Sequence, residues 1–293
     1  MPELPEVETI RKGLKKAIVG KKIAGLDIRV PKMFYGKKED VVGKKVTDVD
    51  RRAKQIIIDL SGDKALLIHL KMTGQLIYHA KNFNPKNSRL TTKNFQAGGH
   101  PSKDWFDNLP NVTTHIVFDF SDGSKLFFND LRKFGWIKIF ETLKLKNKLT
   151  KELGIEPFDK EFTAEKLSKI IKSKPRWNIK KILTDQSLIA GIGNIYADES
   201  LFWAKISPQR KAGMIKYDEI AKLHRSIVKA LEIGLKYGGS SENTYVKIDG
   251  SKGKAQEHFR VYSQQGKKCV CGGKITKIQL NSRGTHFCPQ CQK

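Results

Sequence analysis

Cysteine is absent from the first 268 residues of this 293-residue chain, and all four cysteines lie in the last 25. A secreted protein held by disulfides would spread its cysteines through the chain, so that class is excluded. Long apolar runs are also missing, since none reaches the roughly 18 residues that a membrane span needs. The N-terminus lacks the basic stretch and apolar core of a secretory signal. We therefore expect an intracellular protein of the cytoplasm or nucleoid, without a membrane partner.

Acidic residues are outnumbered in this chain. It has 56 Lys and Arg against 30 Asp and Glu, a formal net charge of +26. Such an excess indicates a polyanionic partner, but a generally lysine-rich surface would give the same balance. Charge alone leaves both interpretations open. Because 39% of the residues are hydrophobic, we expect the chain to fold rather than stay disordered.

The first half of the chain has the pattern of a β-rich domain behind one helix. Apolar residues recur at helical spacing from Val7 to Ile18. Short apolar runs separated by turn residues then predict strands over 23–30, 55–60, 65–70, 75–78, 115–120, 125–129 and 136–140. The polar region 80–111 is predicted to be a long surface loop. We expect residues 1–145 to form a β-sandwich domain with a leading helix.

The second half of the chain changes to a helical period. Helices are predicted over 163–172, 178–184, 194–203 and along a stretch that ends at Gly238-Gly239. A mobile loop rich in Gly, Ser and Lys is expected over 240–258. The predicted organisation is thus two-domain α+β, with a linker at 146–162, a helical domain at 163–258 and a cysteine hairpin at 259–293.

The N-terminus offers an unusual nucleophile. A small second residue permits removal of Met1, which would expose the secondary amine of Pro2. An α-amino group titrates near 7.7–8.0 and Lys near 10.4, so a substantial minority of the Pro2 amine would be neutral at pH 7, against roughly one part in a thousand for Lys. Its attack on a sugar C1′ gives a cationic iminium, and Glu3 could shuttle protons beside it. The alternative is that Pro2 and Pro5 only frame the start of a helix.

The four cysteines form two pairs around a short basic segment. Cys269 and Cys271 are separated by one residue, and Cys288 and Cys291 by two. Four thiolates suit structural zinc, and a hairpin of about 25 residues has little apolar core to hold it without metal. The alternative is a metal-free hairpin.

Five segments occur in a specific order along the chain. The opening M-P-E-L-P-E-V-E-T is followed by R-R-A-K-Q at 51–55, H-L-K-M-T-G at 69–74, D-L-R-K-F-G at 130–135 and G-I-G-N at 191–194, before the cysteine pairs. Together they resemble the formamidopyrimidine-DNA glycosylases over essentially the whole chain. The resemblance implies an N-terminal β-sandwich, a helix–two-turn–helix domain and a β-hairpin zinc finger with one structural zinc.

The resemblance also implies roles for individual residues. Pro2 would be the Schiff-base nucleophile and Glu3 the general acid and base. Two further catalytic residues are implied. Lys54 would contact the phosphate on the lesion side and assist base loss, and Arg283 would grip phosphates beside the lesion. Further DNA contacts are implied for Glu6, His69, Lys133 and Asn194 of the matched segments, and for Lys180 in the helix before the last of these segments.

A third set of residues would replace the damaged base. An enzyme that acts on a base must evert it from the duplex, at a cost of a few kcal/mol. The apolar Met72 and aromatic Phe134 could fill the gap, while Arg132 could hydrogen-bond to the orphaned cytosine. In relatives these three residues form such a wedge. Their presence favours oxidised purines over oxidised pyrimidines.

The implied function is a bifunctional DNA glycosylase and abasic-site lyase that acts on damaged double-stranded DNA as a monomer. One rival is an endonuclease VIII-like preference for oxidised pyrimidines. Another is a noncatalytic damage-binding protein, which would have no need of Pro2, Glu3 and Lys54. The sequence departs from the family at Cys269-Val270-Cys271, where relatives have two intervening residues. We expect this tighter turn to place Cys269 poorly and to weaken zinc retention.

Overall fold

The computed structural model describes residues 1–81, 108–241 and 245–293. These divide into two compact units. The first unit comprises 1–148 and 237–256, and the second comprises 149–236 and 257–293. None of the helices within these described ranges is long and apolar enough to cross a membrane. Most of the surface loop predicted over 80–111 lies outside the described residues.

The first unit is a sandwich of two sheets behind a leading helix. Helix α1 (Leu4–Ile18) precedes nine strands, which are β1 (Ile23–Ile28), β2 (Phe34–Tyr35), β3 (Val46–Arg52), β4 (Gln55–Leu60), β5 (Lys64–His69), β6 (Gly74–His79), β7 (Thr114–Phe120), β8 (Lys125–Asp130) and β9 (Trp136–Glu141). One sheet has the order β1-β7-β8-β6 and the other β2-β9-β5-β4-β3. Except for the parallel β2–β9 pair, neighbouring strands are antiparallel.

The core of the first unit lies between the two sheets and under α1. Alternating apolar residues on β4, such as Ile56 and Ile58, pack in one cluster with Phe118 of β7 and Phe128 of β8. The same face of α1 that predicted the helix, from Val7 to Ile18, joins this cluster. The predicted β-sandwich with a leading helix is therefore confirmed.

The second unit is helical and ends in a strand pair. Its helices and strands are α3 (Ala164–Lys172), α4 (Ile179–Thr184), α5 (Asn194–Ala204), α6 (Tyr217–Lys236), β10 (Thr276–Leu280) and β11 (Arg283–Phe287), and α2 (Thr142–Glu152) spans the boundary between the units. Thr163 and Asn178 cap α3 and α4 through their side-chain oxygens. The turn 185–193 joins α4 to α5, as a helix–two-turn–helix requires, and β10 pairs antiparallel with β11.

Three features differ from the sequence expectations. Strand β3 was not predicted, because its residues Asp48 and Asp50 break the apolar pattern and a register shift interrupts its pairing with β4. Helix α2 occupies the start of the expected linker. Residues 237–256 belong to the first unit rather than to the helical domain, since Tyr245 and Val246 are buried in its core.

Candidate active site and metal centre

The start of α1 holds two of the proposed catalytic residues, Pro2 and Glu3, which are both buried. The Glu3 amide donates to Glu6 Oε2 at 2.8 Å, and the Ser240 amide donates to Glu6 Oε1 at 2.8 Å. Gly239 has φ +80°, and a Cβ there would lie 2.9 Å from Glu6 Cγ. Glu6, expected at the DNA, is only 1% exposed, and its carboxylate joins the start of α1 to residue 240.

Lys54 lies in the tight turn between β3 and β4 and is 5% exposed. The turn places Ala53 at φ +53°, and Arg51 Nη1 donates to the Ala53 carbonyl at 2.9 Å. Arg51 Nε also contacts Glu8 Oε2 at 3.2 Å, which ties the turn to α1. Burial raises the pKa of Glu8, but hydrogen bonds and charges from Arg11 and Arg51 outweigh it and lower this pKa overall. The Glu8 carboxylate therefore stays ionised and anchors the turn.

His69 is the last residue of β5, and its imidazole is neutral. Burial, with smaller contributions from the charges of Lys71 and Lys54, lowers its pKa to about 3. The Lys71 amide donates to His69 Nδ1 at 3.0 Å. Because Nδ1 is the acceptor, the ring proton resides on Nε2, which makes Nε2 a hydrogen-bond donor suited to a phosphate oxygen.

The three proposed wedge residues are exposed, against the usual burial of apolar side chains. Met72 is 40% exposed and Phe134 is 53% exposed. Arg132 is also exposed, and its Cζ lies 4.7 Å from the centre of the Phe134 ring. Lys133 between them is exposed at φ +55°. These exposed side chains are available to contact a binding partner.

Asp130, which our sequence interpretation overlooked, hydrogen-bonds to both of the loops that carry the proposed wedge residues. It is fully buried, and its carboxylate accepts hydrogen bonds from the Thr73 hydroxyl, the Arg132 amide at 3.1 Å and the Gly135 amide at 2.6 Å. A Cβ at Gly135 would lie 3.1 Å from Asp130 Oδ2 and 2.7 Å from a ring carbon of Phe128. The available signal was an acidic residue at the end of a strand, directly before the exposed wedge residues.

In the second unit, the side chain of Lys180 points into the interior. Its side chain is 2% exposed, and Nζ lies 2.6 Å from Asp198 Oδ1 and donates to Thr285 Oγ1 at 2.8 Å. The other carboxylate oxygen of Asp198 accepts the His286 amide at 2.8 Å. We expected Lys180 at a DNA phosphate, but its ammonium instead joins α4, α5 and β11 inside the unit. Asp198 is a second residue that the sequence interpretation missed.

Arg283 follows the turn of the final hairpin and is exposed. The two turn residues, Asn281 and Ser282, have φ +52° and +58°, as a two-residue type I′ turn requires. Asn194 at the start of α5 donates through Nδ2 to the Gly284 carbonyl at 2.8 Å. Asn194 thus positions the strand that carries Arg283.

The four cysteines form one cluster at the base of this hairpin, with all Sγ atoms within 4.8 Å of one another. Cys269 Sγ lies 4.0 Å from Cys291 Sγ, and Cys271 Sγ lies 3.5 Å from Cys288 Sγ. A tetrahedral zinc with Zn–S bonds of about 2.3 Å separates its sulfurs by about 3.8 Å. The cluster fits a single structural zinc. The expectation that the one-residue spacing misplaces Cys269 is wrong, because this residue is 5% exposed and lies within the cluster.

Comparisons with known proteins agree with this geometry. Family models described as the formamidopyrimidine-DNA glycosylase N-terminal domain, the H2TH domain of that enzyme and a zinc finger found in FPG and IleRS match residues 1–137, 153–246 and 266–293.

Similar full-length proteins are found as well. The formamidopyrimidine-DNA glycosylase of Pelotomaculum thermopropionicum is 39% identical, with 100% of this chain and 99% of the relative covered. That of Lactococcus lactis is 39% identical, with both chains covered in full. A solved L. lactis Fpg in complex with DNA containing an abasic site has a TM-score of 0.83 at 34% identity, with 99% of each chain covered.

Proposed function

Because this chain belongs to the formamidopyrimidine-DNA glycosylase family, we propose that it excises oxidised purines from duplex DNA and then cleaves the abasic site. The substrates would be 8-oxoguanine and formamidopyrimidines opposite cytosine. The observation that carries this proposal is the exposed set of Met72, Arg132 and Phe134, braced by a buried carboxylate. These residues lie in the same compact unit as Pro2 and Glu3.

The first chemical step requires removal of Met1. The freed Pro2 nitrogen attacks C1′ of the everted nucleotide, so a C1′–N bond to Pro2 forms as the glycosidic bond breaks. The departing base takes a proton, and Glu3 supplies the proton that opens the sugar ring at O4′. The product is an iminium that links Pro2 to the open sugar.

The iminium then drives strand cleavage because it accepts electrons from the neighbouring carbon. Loss of a C2′ proton expels the 3′-phosphate, and loss of a second proton at C4′ expels the 5′-phosphate. Water hydrolyses the remaining adduct and frees Pro2. Glu3, with its amide held by Glu6, is the group available to move these protons.

The remaining proposed site residues would hold the duplex. Lys54, His69, Lys133 and Arg283 would donate to phosphates, with His69 acting as a neutral donor through Nε2. Zinc would contribute no chemistry to the reaction. Bound by the four thiolates, it would keep the hairpin of Arg283 in shape. We expect the protein to act as a monomer on DNA in the nucleoid.

Structures of a relative bear on the lesion range. L. lactis Fpg has been solved with DNA containing N7-benzyl-Fapy-dG and with DNA containing an oxidised pyrimidine. The second complex supports binding of DNA that contains an oxidised pyrimidine by this chain as well, beside the proposed preference for purines. The proposed catalytic residues Pro2, Glu3 and Lys54 argue against a purely DNA-binding role.

Borohydride trapping on an 8-oxoguanine:cytosine duplex tests the mechanism. Peptide mapping should place the DNA adduct on Pro2, with Met1 absent from the purified protein. A protein extended by two residues before Pro2 should bind the duplex but give no adduct. Trapping on Lys54 or another lysine, with Pro2 unmodified, would overturn the proposal.

A further inference from the structure

The last turn of α5 contains a lysine in a backbone conformation that favours glycine. Lys205 has φ +63°. Its amide donates to the Phe202 carbonyl at 3.1 Å, and the Ile206 amide donates to the Leu201 carbonyl at 3.0 Å. These two bonds define a Schellman motif, in which the position of Lys205 is usually Gly. Because a Cβ destabilises this backbone conformation relative to glycine, the presence of Lys205 and its contacts call for an explanation.

The side chain of Lys205 extends to the cysteine cluster. Its Nζ passes 4.3 Å from the centre of the buried Phe202 ring and reaches Cys291 Sγ at 3.5 Å. Among the residues that the structure describes, no carboxylate forms an ion pair with this ammonium. The sulfur of Cys291 is therefore its polar partner inside the second unit.

The backbone next to Lys205 also holds the second cysteine pair. The Lys205 carbonyl accepts the Lys293 amide at 3.2 Å, and the Ile206 carbonyl accepts Gln292 Nε2 at 2.9 Å. The buried Gln292 then accepts the Cys288 amide at 2.8 Å through Oε1. The end of α5 thus contacts both cysteines of the Cys288–Cys291 pair, either directly or through one side chain.

The charge of the metal site explains what a cation does there. Zinc with four thiolates carries a net charge of −2, and Cys269 and Cys288 are buried where water screens little of it. An ammonium within hydrogen-bond distance of one sulfur offsets half of this charge. Groups that hydrogen-bond to metal ligands commonly change metal affinity by about 10- to 100-fold.

We propose that Lys205 is a positioning residue of the zinc site, whose ammonium hydrogen-bonds to the Cys291 thiolate and slows the loss of zinc. The backbone strain at the end of α5 is the cost of placing this cation. This inference concerns the metal site and holds whichever lesion the enzyme excises.

Zinc release to an excess of a coloured chelator tests the proposal in the full-length protein. Lys205→Met keeps the stem over Phe202 but removes the charge, and it should release zinc about tenfold faster. Lys205→Arg should stay within about twofold of the natural protein. The matched control is Lys229→Met, because that ammonium lies over the Trp203 ring at 3.5 Å without touching a sulfur. It should leave release unchanged.

Lys205→Gly separates the charge from the strain. Glycine relaxes the backbone, so a purely structural role for this position predicts equal or slower zinc release. Loss of the ammonium predicts faster release. In the cobalt-substituted protein, the sulfur-to-metal charge-transfer band should shift to longer wavelength in the Met and Gly variants, because Cys291 loses a hydrogen bond. Release rates and spectra like those of the natural protein in both variants would overturn the proposal.

Discussion

The buried ion pair of Lys180 and Asp198 makes a strong prediction, because two functions suggested for Lys180 lead to opposite results. As a phosphate contact, Lys180 would matter for binding and little for folding. As an internal cation, it would matter for folding and little for the electrostatics of binding. Lys180→Met preserves the length of the side chain and removes the charge, together with the hydrogen bond from Nζ to Thr285.

The magnitude follows from burial. The side chains of Lys180 and Asp198 are 2% and 0% exposed, so the substitution leaves an uncompensated carboxylate inside the second unit. Breaking such a pair costs about 3–5 kcal/mol of unfolding free energy. Adding Asp198→Asn to Lys180→Met removes the stranded charge and should recover about 2 kcal/mol of that loss. The neighbouring exposed Lys181, changed to Met, should alter stability by less than about 0.5 kcal/mol.

Two assays on the same variants decide between the two functions. Urea unfolding, followed by a probe in the second unit, measures the loss of stability. Duplex binding at several salt concentrations, well below the unfolding temperature, gives the number of DNA phosphates that the protein neutralises. A buried Lys180 predicts an unchanged slope of log K against log salt. A slope less steep by about 0.9, with normal stability, would refute the internal role, since that is the loss expected for one phosphate contact.

Three further predictions concern the other parts of the site. Phe134→Ala should slow excision from duplex DNA at least tenfold but barely change cleavage of a preformed abasic site, because eversion is easier at such a site. Single-turnover assays measure both rates, and an equal loss of rate on the two substrates would contradict a wedge role. The pKa of His69 lies at about 3, below its unfolded value near 6.5, so stability that is present above pH 6.5 is lost as the pH falls. This loss should amount to about 2 kcal/mol of unfolding free energy by pH 5 and should be absent in His69→Gln. Parallel pH profiles of unfolding free energy for the natural protein and His69→Gln would contradict it. Cys269→Ser and Cys288→Ser should both lose zinc by elemental analysis, and retention in either variant would exclude that cysteine as a ligand.

The sequence predicted those parts of the fold that depend on local pattern. The apolar face of α1, the alternation in β4 and the order of short strands were sufficient for the sandwich. The exposure of Met72 and Phe134 was anticipated only through the family resemblance, because a Met in a turn motif taken alone favours a buried core position. The clustered cysteines predicted the metal centre, because four cysteines within 25 residues have few other uses.

What the sequence could not predict depends on contacts between distant residues. Glu6 and Lys180 both occur in segments that favoured DNA contacts, yet each is used inside the protein by a partner far along the chain, Ser240 for one and Asp198 for the other. Nothing in either segment indicates that partner. Asp130 was overlooked because its role depends on Thr73, which lies on a different strand loop.

The discontinuity of the first unit has a consequence for synthesis of the protein. Val246 completes a small apolar cluster with Ile77, Val117 and Phe127, and the Ser240 amide donates a hydrogen bond to the buried Glu6 carboxylate. A ribosome produces these partners after all of the helices of the second unit. The half that holds Pro2 can therefore reach its final packing only when the nascent chain has passed residue 256, so a truncated product ending before that point would present the nucleophile on an incompletely packed scaffold.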